Sequence, residues 1–510
     1  MWIALPLIAW VLATAFFWVG FTGDDDLFYA RYAYLFHRPP IVWWEFRIPA
    51  ILAMRGSFLI FGPTEFAAAL PSLLASLAIM GSVAWIVGWP RRRSWHAQTA
   101  MLIAAVIPID VGFRSYPSAN QIAAGLLALG TACILKGGRR VQIVGSALLA
   151  VAFMTHEISF FYVALFCLTL LAFDWKRFWR PVGWCVGLAA VLVIAESITY
   201  ASLLGDPLAR LKTSASTTAT TQVGVDPDTG LQGVRFFLWP VQNLIASKQF
   251  GFDLIVLLLT GAVAWRRLTR EQRLLLVATF AVFLWLGYGS QVPWAYKPLY
   301  RQFHYYNCLT LGVAALLPFT IGYALAHRQL LAKIAVAGLV AVHVLSLAVT
   351  GRWGTNVDVS RDLLRYARHH PDQQFVTDVG TMNQMYVLNG FRLPDNVVCV
   401  NGEAVEQDLL VNKEPPATPR FRFPERNVDA ALVNREEGEV REFEPEFSRF
   451  VRVHGGERAT VVGERYRRAF APLVPVLGPR GFMIMSAGGD VVSTMRAPAE
   501  SAVAPAANLR

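Results

Sequence analysis

The sequence predicts a mainly α-helical membrane protein that crosses the bilayer many times and ends in a small α/β domain. Of its 510 residues, 55% are apolar and only 16% are charged, whereas about 25% are charged in an ordinary soluble protein. Apolar stretches close to the ~20 residues that span a bilayer recur throughout residues 1–350. Beyond residue 350 the composition becomes that of a soluble domain.

The distribution of charge supports the same division. Residues 1–350 contain 26 lysines and arginines against 14 acidic residues, and residues 351–510 contain 20 against 21. The basic surplus therefore belongs to the apolar part, as membrane topology produces, and no solvated basic face for nucleic acid is expected. The five cysteines include no C-x-x-C pair, so neither a disulfide framework nor a zinc site is predicted.

About eleven crossings are predicted from the apolar stretches, each bounded by charge or by Pro and Gly. They lie near residues 2–21, 66–88, 97–113, 119–136, 141–155, 158–173, 182–203, 250–265, 274–290, 306–326 and 334–350. The first is too long for a removed signal peptide and lacks a small-residue cleavage site, so we expect it to remain as an anchor.

The loops predict the orientation, because basic residues beside a crossing tend to stay in the cytoplasm. Five alternate loops contain fifteen basic and two acidic residues, and the intervening loops contain eleven of each. The N-terminus is therefore expected on the cytoplasmic side of the inner (plasma) membrane. The C-terminal domain is expected outside, together with the long loops at 22–64, 204–249 and 290–305.

Three adjacent carboxylates, Asp24, Asp25 and Asp26, follow the first predicted crossing. They repel one another unless water, a cation, a helix N-terminus or a proton-sharing substrate stabilises them. A short helix that begins near Asp26 would place Tyr29 and Ala33 on one face along the membrane. On charge alone, a solvated acidic cap of that helix is the alternative to a catalytic group.

The pattern Asp25-Asp26-x-x-Tyr29 resembles the first external loop of the GT-C glycosyltransferases. The later segment LIFGPTEFAAALPSLL at 59–74 resembles the beginning of that family's second helix. The nearest branch is the one with the protein O-mannosyltransferases and the aminoarabinose transferases of lipid A. Ala69 departs from the pattern, since many relatives have arginine there. The resemblance covers residues 1–350, for which it implies a GT-C catalytic domain.

The resemblance also implies a donor and a reaction. Family members take a sugar from a polyprenyl phosphate and transfer it, with inversion at the anomeric carbon, to an acceptor outside the cytoplasm, whether glycan, lipid or protein. A hydroxyl acceptor needs a base, and a departing phosphate needs cations. Asp25 is the predicted base, while Asp26 or Asp24 would orient the acceptor or tune the pKa of Asp25 by repulsion.

The cations for the phosphate are predicted just before the tenth crossing, in a stretch that resembles the arginine-aromatic start of a late family helix. Arg301 can bind two phosphate oxygens, Lys297 can act as a point charge, and His304 can donate a hydrogen bond. Interfacial anchoring is the alternative, since aromatic and basic residues flank most membrane helices.

Two further charged pairs are candidates. His156 and Glu157 lie in a turn between two short crossings, where a polar turn is tolerated only if it lines a cavity. The turn resembles a Thr-Lys-Glu-like turn of the family, and its residues would contact the acceptor or the base. Asp110 and Arg114 either contact substrate or simply neutralise each other at the membrane edge.

Glu196 lies inside the stretch at 182–203 and is expected to face the bundle interior, in a functional role or bonded to a neighbouring helix. No cofactor is firmly implied. The aspartates with His156 or Glu157 could hold magnesium or manganese, as related oligosaccharyltransferases require. The branch that this sequence resembles generally works without a metal ion, so no metal site is predicted.

The remaining segments are predicted from composition and periodicity. A helix over 361–370 and strands at 375–377, 396–400, 450–453 and 481–485 predict an extracytoplasmic α/β domain over 351–495. It would restrict access to the site, contact the acceptor or only stabilise the protein. The Ala- and Pro-rich tail at 496–510 is predicted to be disordered. The polar run at 213–222 is either a flap or a flexible connector.

Two other classes of protein fit part of this pattern. A lipid-linked sugar flippase or small-molecule transporter also combines many crossings with buried charge. Transporters usually show related halves with binding groups near mid-membrane, whereas here no repeat is evident and the charges gather on one outer side. A non-enzymatic subunit of an envelope assembly would keep its activity after Asp25→Asn and lose its association after truncation of 351–510.

Overall fold

The structure is a computed structural model. It describes residues 4–22, 25–36, 40, 44–91, 94–217, 222–226, 230–292, 295–350, 356–377, 379–392 and 394–399, and the strands at 430–433, 458–460 and 491–494. The chain divides into two compact units. The helical unit comprises Met1–Gly20, Tyr32–Phe61 and Phe66–Gly351, and the C-terminal unit comprises Phe21–Arg31, Gly62–Glu65 and Arg352–Arg510.

The first half of the chain is helical. Its helices are α1 (Ala4–Phe16), α2 (Asp25–Leu35), α3 (Ile48–Phe61), α4 (Glu65–Val87), α5 (Trp95–Val106), α6 (Pro108–Arg114), α7 (Ala119–Lys136), α8 (Arg139–Thr155), α9 (Ser159–Leu204) and α10 (Ala209–Thr217).

Two short hairpins and further helices follow. They are β1 (Val225–Asp226), β2 (Leu231–Gln232), α11 (Val234–Ile245), α12 (Asp253–Ala264), α13 (Arg270–Tyr288), β3 (Ser290–Val292), β4 (Ala295–Pro298), a 3₁₀ helix (Phe303–Leu309), α14 (Thr310–Ala324) and α15 (Gln329–Thr350).

Each predicted crossing falls on at least part of a helix, but the count of eleven is not confirmed. Among the described residues, six helices are long and apolar enough to cross a membrane, and α5 with α6, bent by 46°, would make a seventh. Helices α1 and α12 have 13 and 12 residues, fewer than the ~20 that span a bilayer. The six are Glu65–Val87, Ala119–Lys136, Ser159–Leu204, Arg270–Tyr288, Phe303–Ala324 and Gln329–Leu347.

The long helix α9 covers two of the predicted crossings. Asp174, between them, has φ −156° and ψ 78°, so two helices meet at this residue. Its Oδ1 accepts the Arg177 backbone N–H at 3.1 Å, and its Oδ2 pairs with Arg270 at 2.9 Å. Asp174 therefore caps the second helix, because a carboxylate satisfies a backbone donor of the first turn.

Helices α7 and α8 approach each other backbone to backbone. A Cβ atom on Gly130 would lie 2.9 Å from the Gly145 carbonyl oxygen, and one on Gly145 would lie 2.8 Å from the Gly130 carbonyl oxygen. Small residues allow this distance, as they do between many membrane helices. The close packing fixes the end of α8, after which His156 and Glu157 follow.

The C-terminal unit contains α16 (Asn356–His369), β5 (Phe375–Thr377), α17 (Val379–Leu388), β6 (Val397–Cys399), β7 (Ala430–Val433), β8 (Arg458–Thr460) and β9 (Val491–Thr494). The strand order is β6-β5-β7-β9-β8. β5 runs parallel to β6 and β7, whereas β9 is antiparallel to β7 and β8.

Leu363, Leu364 and Ala367 of α16 are buried against Phe375 and Met382, as their spacing on one helical face predicts. The strands predicted at 450–453 and 481–485 and the tail at 496–510 lie outside the described residues. The position of this unit outside the cytoplasm stays a prediction.

Candidate functional site

Arg301 lies between the β3–β4 hairpin and the 3₁₀ helix, and its side chain is 1% exposed. The guanidinium carbon lies 4.0 Å from the centroid of the Phe236 ring. The backbone N–H of Arg301 donates to Asp226 Oδ2, which holds this turn. None of its three guanidinium nitrogens has a well-aligned hydrogen-bond partner among the described residues, although the Tyr296 side chain lies close enough to act as an acceptor.

The charge of Arg301 is consequently only partly compensated. Burial lowers the pKa of Arg301, while nearby Tyr306 and Tyr296 hydroxyls and the Asp226 carboxylate favour the charged form. An arginine nevertheless stays protonated at physiological pH. A buried guanidinium of this kind is a ready binding site for an anion, and its fork of donors matches a phosphate.

Lys297 and His304, the other predicted phosphate ligands, have different surroundings. Lys297 is exposed on β4, where its backbone N–H donates to Ser290 Oγ at 3.0 Å. His304 is half-buried and packs edge-on against Tyr305, with ring centroids 4.4 Å apart. The side chain of Lys297 is thus open to solvent, and that of His304 is held in an aromatic cluster.

His304 and His156 line one small cavity, in which the space open to a water-sized group is about 10 Å³, or about one water molecule. The two residues are distant in sequence, and the packing of the helical unit brings them together. The other polar residues that line it are Asn120, Ser159, Tyr305 and Asn307. Such a lining offers several hydrogen-bonding groups to a small polar ligand group.

His156 is 1% exposed, and its Nδ1 accepts the Ile158 backbone N–H at 3.2 Å. This bond assigns the neutral-ring proton to Nε2. Burial lowers the pKa of His156 far below its usual value, and the charges of Arg47, His304 and Arg210 lower it further. His156 is therefore neutral at pH 7, and its Nε2 has no partner among the described residues.

Glu157, the next residue, lies between two arginines, Arg47 and Arg210. Its Oε2 lies 3.3 Å from Arg47 Nη2, and its Oε1 lies 3.9 Å from Arg210 Nη2. Ser214 Oγ also donates to Oε1 at 3.4 Å. Burial alone would raise the pKa of Glu157, but the two guanidinium groups overcome this effect and hold the pKa below its usual value. Glu157 is therefore ionised at neutral pH.

Arg210 connects this cluster with Glu196. Arg210 Nη1 lies 3.2 Å from Glu196 Oε1, which also accepts the Tyr200 hydroxyl at 3.0 Å. Arg210 Nη2 donates to the carbonyl oxygens of Phe153 and Met154 at 3.0 and 3.1 Å. These are last-turn carbonyls of α8, so the arginine also caps that helix.

Sequence reasoning singled out Glu157 and Glu196 but missed their partners, Arg47 and Arg210. The sequence offered one indication of these partners, because both arginines belong to long loops that the charge bias predicts on the outer side. The pairs are separated by 110 and 14 residues, however, and no local pattern specifies a contact across 110 residues.

Asp110 and Arg114 are fully buried and paired, with Oδ2 and Nη1 3.4 Å apart. Ser76 Oγ and Gln121 Nε2 each donate to the Asp110 carboxylate at 2.6 Å. Arg114 also donates to the carbonyl oxygens of Ala105 and Trp10, at 3.0 and 3.2 Å. This network connects α1, α4, α5, α6 and α7.

The candidate aspartates Asp25 and Asp26 belong to the C-terminal unit, at the start of α2. Asp26 is 1% exposed, and its carboxylate accepts the backbone N–H and the hydroxyl of Thr22. Asp25 is half-buried, Tyr29 is buried, and Asp24 lies outside the described residues. Asp26 is thus engaged in holding the turn, and the carboxylate of Asp25 is the more accessible of the two.

Among the described residues, no group of three or more histidine, cysteine, aspartate or glutamate side chains is arranged to hold a metal ion. The charged cluster of the helical unit instead combines two arginines with two glutamates. Its carboxylates are occupied by guanidinium groups, which is the arrangement of an ion-pair network.

No protein-family model and no curated protein sequence matches the chain. Solved structures do match it. ArnT from Cupriavidus metallidurans bound to undecaprenyl phosphate is 13% identical, with a TM-score of 0.52 over 91% of this chain and 95% of ArnT. The apo state of the same protein is 14% identical, with a TM-score of 0.53 over 96% of each chain. ArnT is a GT-C membrane glycosyltransferase, so the likeness confirms the predicted GT-C fold.

Proposed function

We propose that the protein is an integral-membrane, inverting glycosyltransferase that moves a sugar from a polyprenyl-phosphate donor to an acceptor outside the cytoplasm. Arg301 carries the proposal, because its guanidinium is buried and no carboxylate binds it among the described residues. The chain shares its fold with ArnT, whose structure contains undecaprenyl phosphate. An anionic lipid phosphate would supply the charge and the acceptors that Arg301 needs.

Donor recognition follows from the cations of the 290–305 loop. Arg301 binds two oxygens of the donor phosphate, and exposed Lys297 adds a mobile positive charge. His304 donates a hydrogen bond from the wall of the cavity. The phosphate gains negative charge as the sugar departs, so these groups stabilise the transition state more than the bound donor.

The chemical step is a single displacement. The Asp25 carboxylate takes the proton of the acceptor hydroxyl while that oxygen attacks the anomeric carbon from the face opposite the phosphate. The bond from the anomeric carbon to the phosphate oxygen breaks, and its electrons leave with the polyprenyl phosphate. Asp26, held by Thr22, and Asp24 keep negative charge beside Asp25 and favour its protonation. Tyr29, one turn further along α2, contacts substrate.

The turn at His156 and Glu157 contributes to substrate binding. The Nε2–H of neutral His156 donates to a sugar or acceptor hydroxyl in the cavity. Glu157 orients Arg47 and Arg210 around that turn. Asp110 and Arg114 act through packing, because their bonds with one another and with neighbouring helices occupy them.

Each predicted domain has its own proposed role. Residues 1–350 form the catalytic part and bind the membrane lipid and the donor, with the functional loops at 22–64, 204–249 and 290–305 outside the cytoplasm. Residues 351–495 form the extracytoplasmic domain.

The test is a release assay with the full-length protein in lipid nanodiscs. Purified protein is incubated with a panel of polyprenyl-phosphate sugars and extracted envelope acceptors, and free polyprenyl phosphate is quantified. We expect release from one donor, and a loss of at least about 100-fold in Asp25→Asn, as removal of a general base gives. Asp206→Asn, which neutralises a half-buried aspartate that pairs with Lys212 in another long loop, is the matched control and should retain full activity.

The same preparation distinguishes the proposed transferase from a lipid flippase. If no donor is cleaved, but donor lipid binds and crosses reconstituted bilayers, the protein is a flippase and the transferase proposal is wrong. Retention of full activity by a folded Asp25→Asn variant would also contradict the assignment of the base.

A further inference from the structure

The segment that carries the candidate aspartates is bonded to the C-terminal part of its own unit. Arg361, in the second turn of α16, donates to Glu65 Oε1 and, at 3.4 Å, to the Phe21 carbonyl oxygen. Glu65 Oε1 in turn accepts the Phe21 backbone N–H at 2.7 Å. Both backbone groups of Phe21 are therefore occupied by this ion pair.

The bonds continue from Phe21 to the carboxylates. Thr22 follows Phe21 in the chain and donates its backbone N–H and its hydroxyl to Asp26. Asp26 is adjacent to Asp25, the candidate base, in the first turn of α2. Arg361 is thus connected with Asp26 through Glu65, Phe21 and Thr22. Movement of Arg361 would therefore change the bonds between Thr22 and Asp26, and with them the direction of the adjacent Asp25 carboxylate.

The surroundings of the ion pair favour a defined geometry. The side chains of Arg361 and Glu65 are 22% and 27% exposed, and the Phe21 side chain is 1% exposed. A second contact lies nearby, since a Cβ atom on Gly390 would lie 3.2 Å from the Pro63 carbonyl oxygen. The segment at 62–65 thus touches the C-terminal part at two places.

We propose that Arg361 is a positioning residue for the transferase reaction. Through Glu65 it fixes the backbone of Phe21 and Thr22, and thereby holds Asp25 in the orientation in which it receives the acceptor proton. This gives the C-terminal domain a part in the chemistry of a base that lies more than 300 residues earlier. The inference depends on the proposed function for its kinetic part, and its structural part can be tested separately.

The structural test is hydrogen–deuterium exchange of the full chain in nanodiscs. Within 21–30, Arg361→Met should raise the exchange of the Phe21 and Thr22 amides by at least about tenfold, since Arg361 no longer holds Glu65 and the Phe21 backbone in place and the acceptors of these amides, Glu65 and Asp26, become mobile. Arg368→Met is the matched control, because Arg368 lies on the same helix and bonds to Asn389. Arg368→Met should leave the exchange of the amides at 21–30 unchanged. Equal exchange in the Arg361→Met variant and the wild type would overturn the proposal.

The kinetic test uses Arg361→Met, Glu65→Gln and the double variant. Each should lower kcat about tenfold or more, with the KM for donor changed less than about threefold, since small misplacement of a catalytic group slows chemistry strongly. The double variant should be no slower than the slower single variant, and Arg361→Lys should recover part of kcat. An unchanged kcat, or a loss explained by a smaller folded fraction, would make the residue merely structural and contradict the proposal.

The two tests separate the two claims. A wild-type protein that cleaves no donor would refute the proposed function and, with it, the positioning role. If the exchange at 21–30 then still rises in Arg361→Met, Arg361 does hold this segment in place, but for another purpose.

Discussion

Arg301 differs from the other buried arginines of the helical unit in how the positive charge of its guanidinium is compensated. Arg114 has Asp110 and two carbonyl oxygens, Arg47 has Glu157, and Arg210 has Glu196 and the end of α8. The Arg301 guanidinium instead packs on the face of Phe236, and no carboxylate binds it among the described residues. A buried charge without such compensation costs several kcal/mol. We infer that the site is completed by an anion and is less stable without it.

Arg301→Met should therefore weaken lipid binding without lowering the stability of the protein. The apo variant should unfold at the same temperature as the wild type or higher, because methionine fills similar volume without an unpaired charge. Its affinity for undecaprenyl phosphate should fall about 10- to 100-fold, as loss of a charge-assisted bond of about 1.5–3 kcal/mol implies. Thermal unfolding with and without the lipid measures both. Lys297→Met, at an exposed position, should change the affinity less, and equal losses in the two variants would contradict a special role for Arg301.

His156 should make stability depend on pH. The pKa of His156 in the folded protein lies well below its usual value of 6.5, chiefly through burial. Below pH 6.5 the unfolded chain binds a proton that the folded protein does not, so stability falls as the pH decreases. The slope is about 1.4 kcal/mol per pH unit.

Unfolding temperatures at pH 7.5 and 5.5 test this expectation. The decrease between the two pH values should be smaller in His156→Asn than in the wild type, while exposed His327→Asn should keep the wild-type decrease. An identical decrease in all three proteins would show that His156 is already protonated when folded.

At the scale of helices, the site depends on how closely α7 and α8 pack. Gly130 and Gly145 allow the two backbones to touch, and α8 then ends at the turn with His156 and Glu157. Arg210 binds the last carbonyls of α8 and also reaches the Glu157 carboxylate. The position of this turn is thus set by a glycine contact on one side and by an arginine on the other.

Gly145→Ala should loosen that contact. The new methyl group would meet the Gly130 carbonyl oxygen at 2.8 Å, and overpacking of this kind costs about 1–3 kcal/mol. Gly187→Ala in α9 is the matched control, because nothing lies within 4 Å of its Cβ position and alanine favours a helix by about 0.5–1 kcal/mol. We expect a lower unfolding temperature for the first variant and an equal or higher one for the second. The reverse order would mean that the glycines are not in contact.

The helices themselves could be predicted from sequence, and their partners could not. Apolar runs and capping residues such as Ser118 and Thr269 mark helix bounds locally. The aspartate motif and Arg301 were identified through their resemblance to segments of the GT-C family, together with their positions beside predicted crossings. Distant segments are joined by the ion pair of Arg47 with Glu157 and by the hydrogen bond between Asp253 and His343, at 2.7 Å. Such pairs depend on helix packing, which single-sequence periodicity does not specify.

For the whole molecule, the decisive property is which side of the membrane each loop occupies. The charge bias predicts that the loops with the aspartates, Arg210 and Arg301 lie outside the cytoplasm. The fold agrees with a GT-C protein, but α12 has only 12 residues, fewer than the ~20 that cross a bilayer. If α12 does not cross, the loops on its two sides face the same compartment.

Cysteine labelling at three exposed positions tests both points in a variant without the five native cysteines. Lys212→Cys precedes α12, Arg266→Cys lies between α12 and α13, and Arg328→Cys follows α14. A membrane-impermeant maleimide added to intact spheroplasts should label the first position only, and it should label all three after lysis.

This result follows because one crossing separates 212 from 266, and two more separate 266 from 328 in the predicted topology. Labelling of both 212 and 266 in intact spheroplasts would show that α12 enters the membrane without crossing it. Labelling of 328 but not 212 would invert the protein, and would place the proposed acceptor reaction in the cytoplasm.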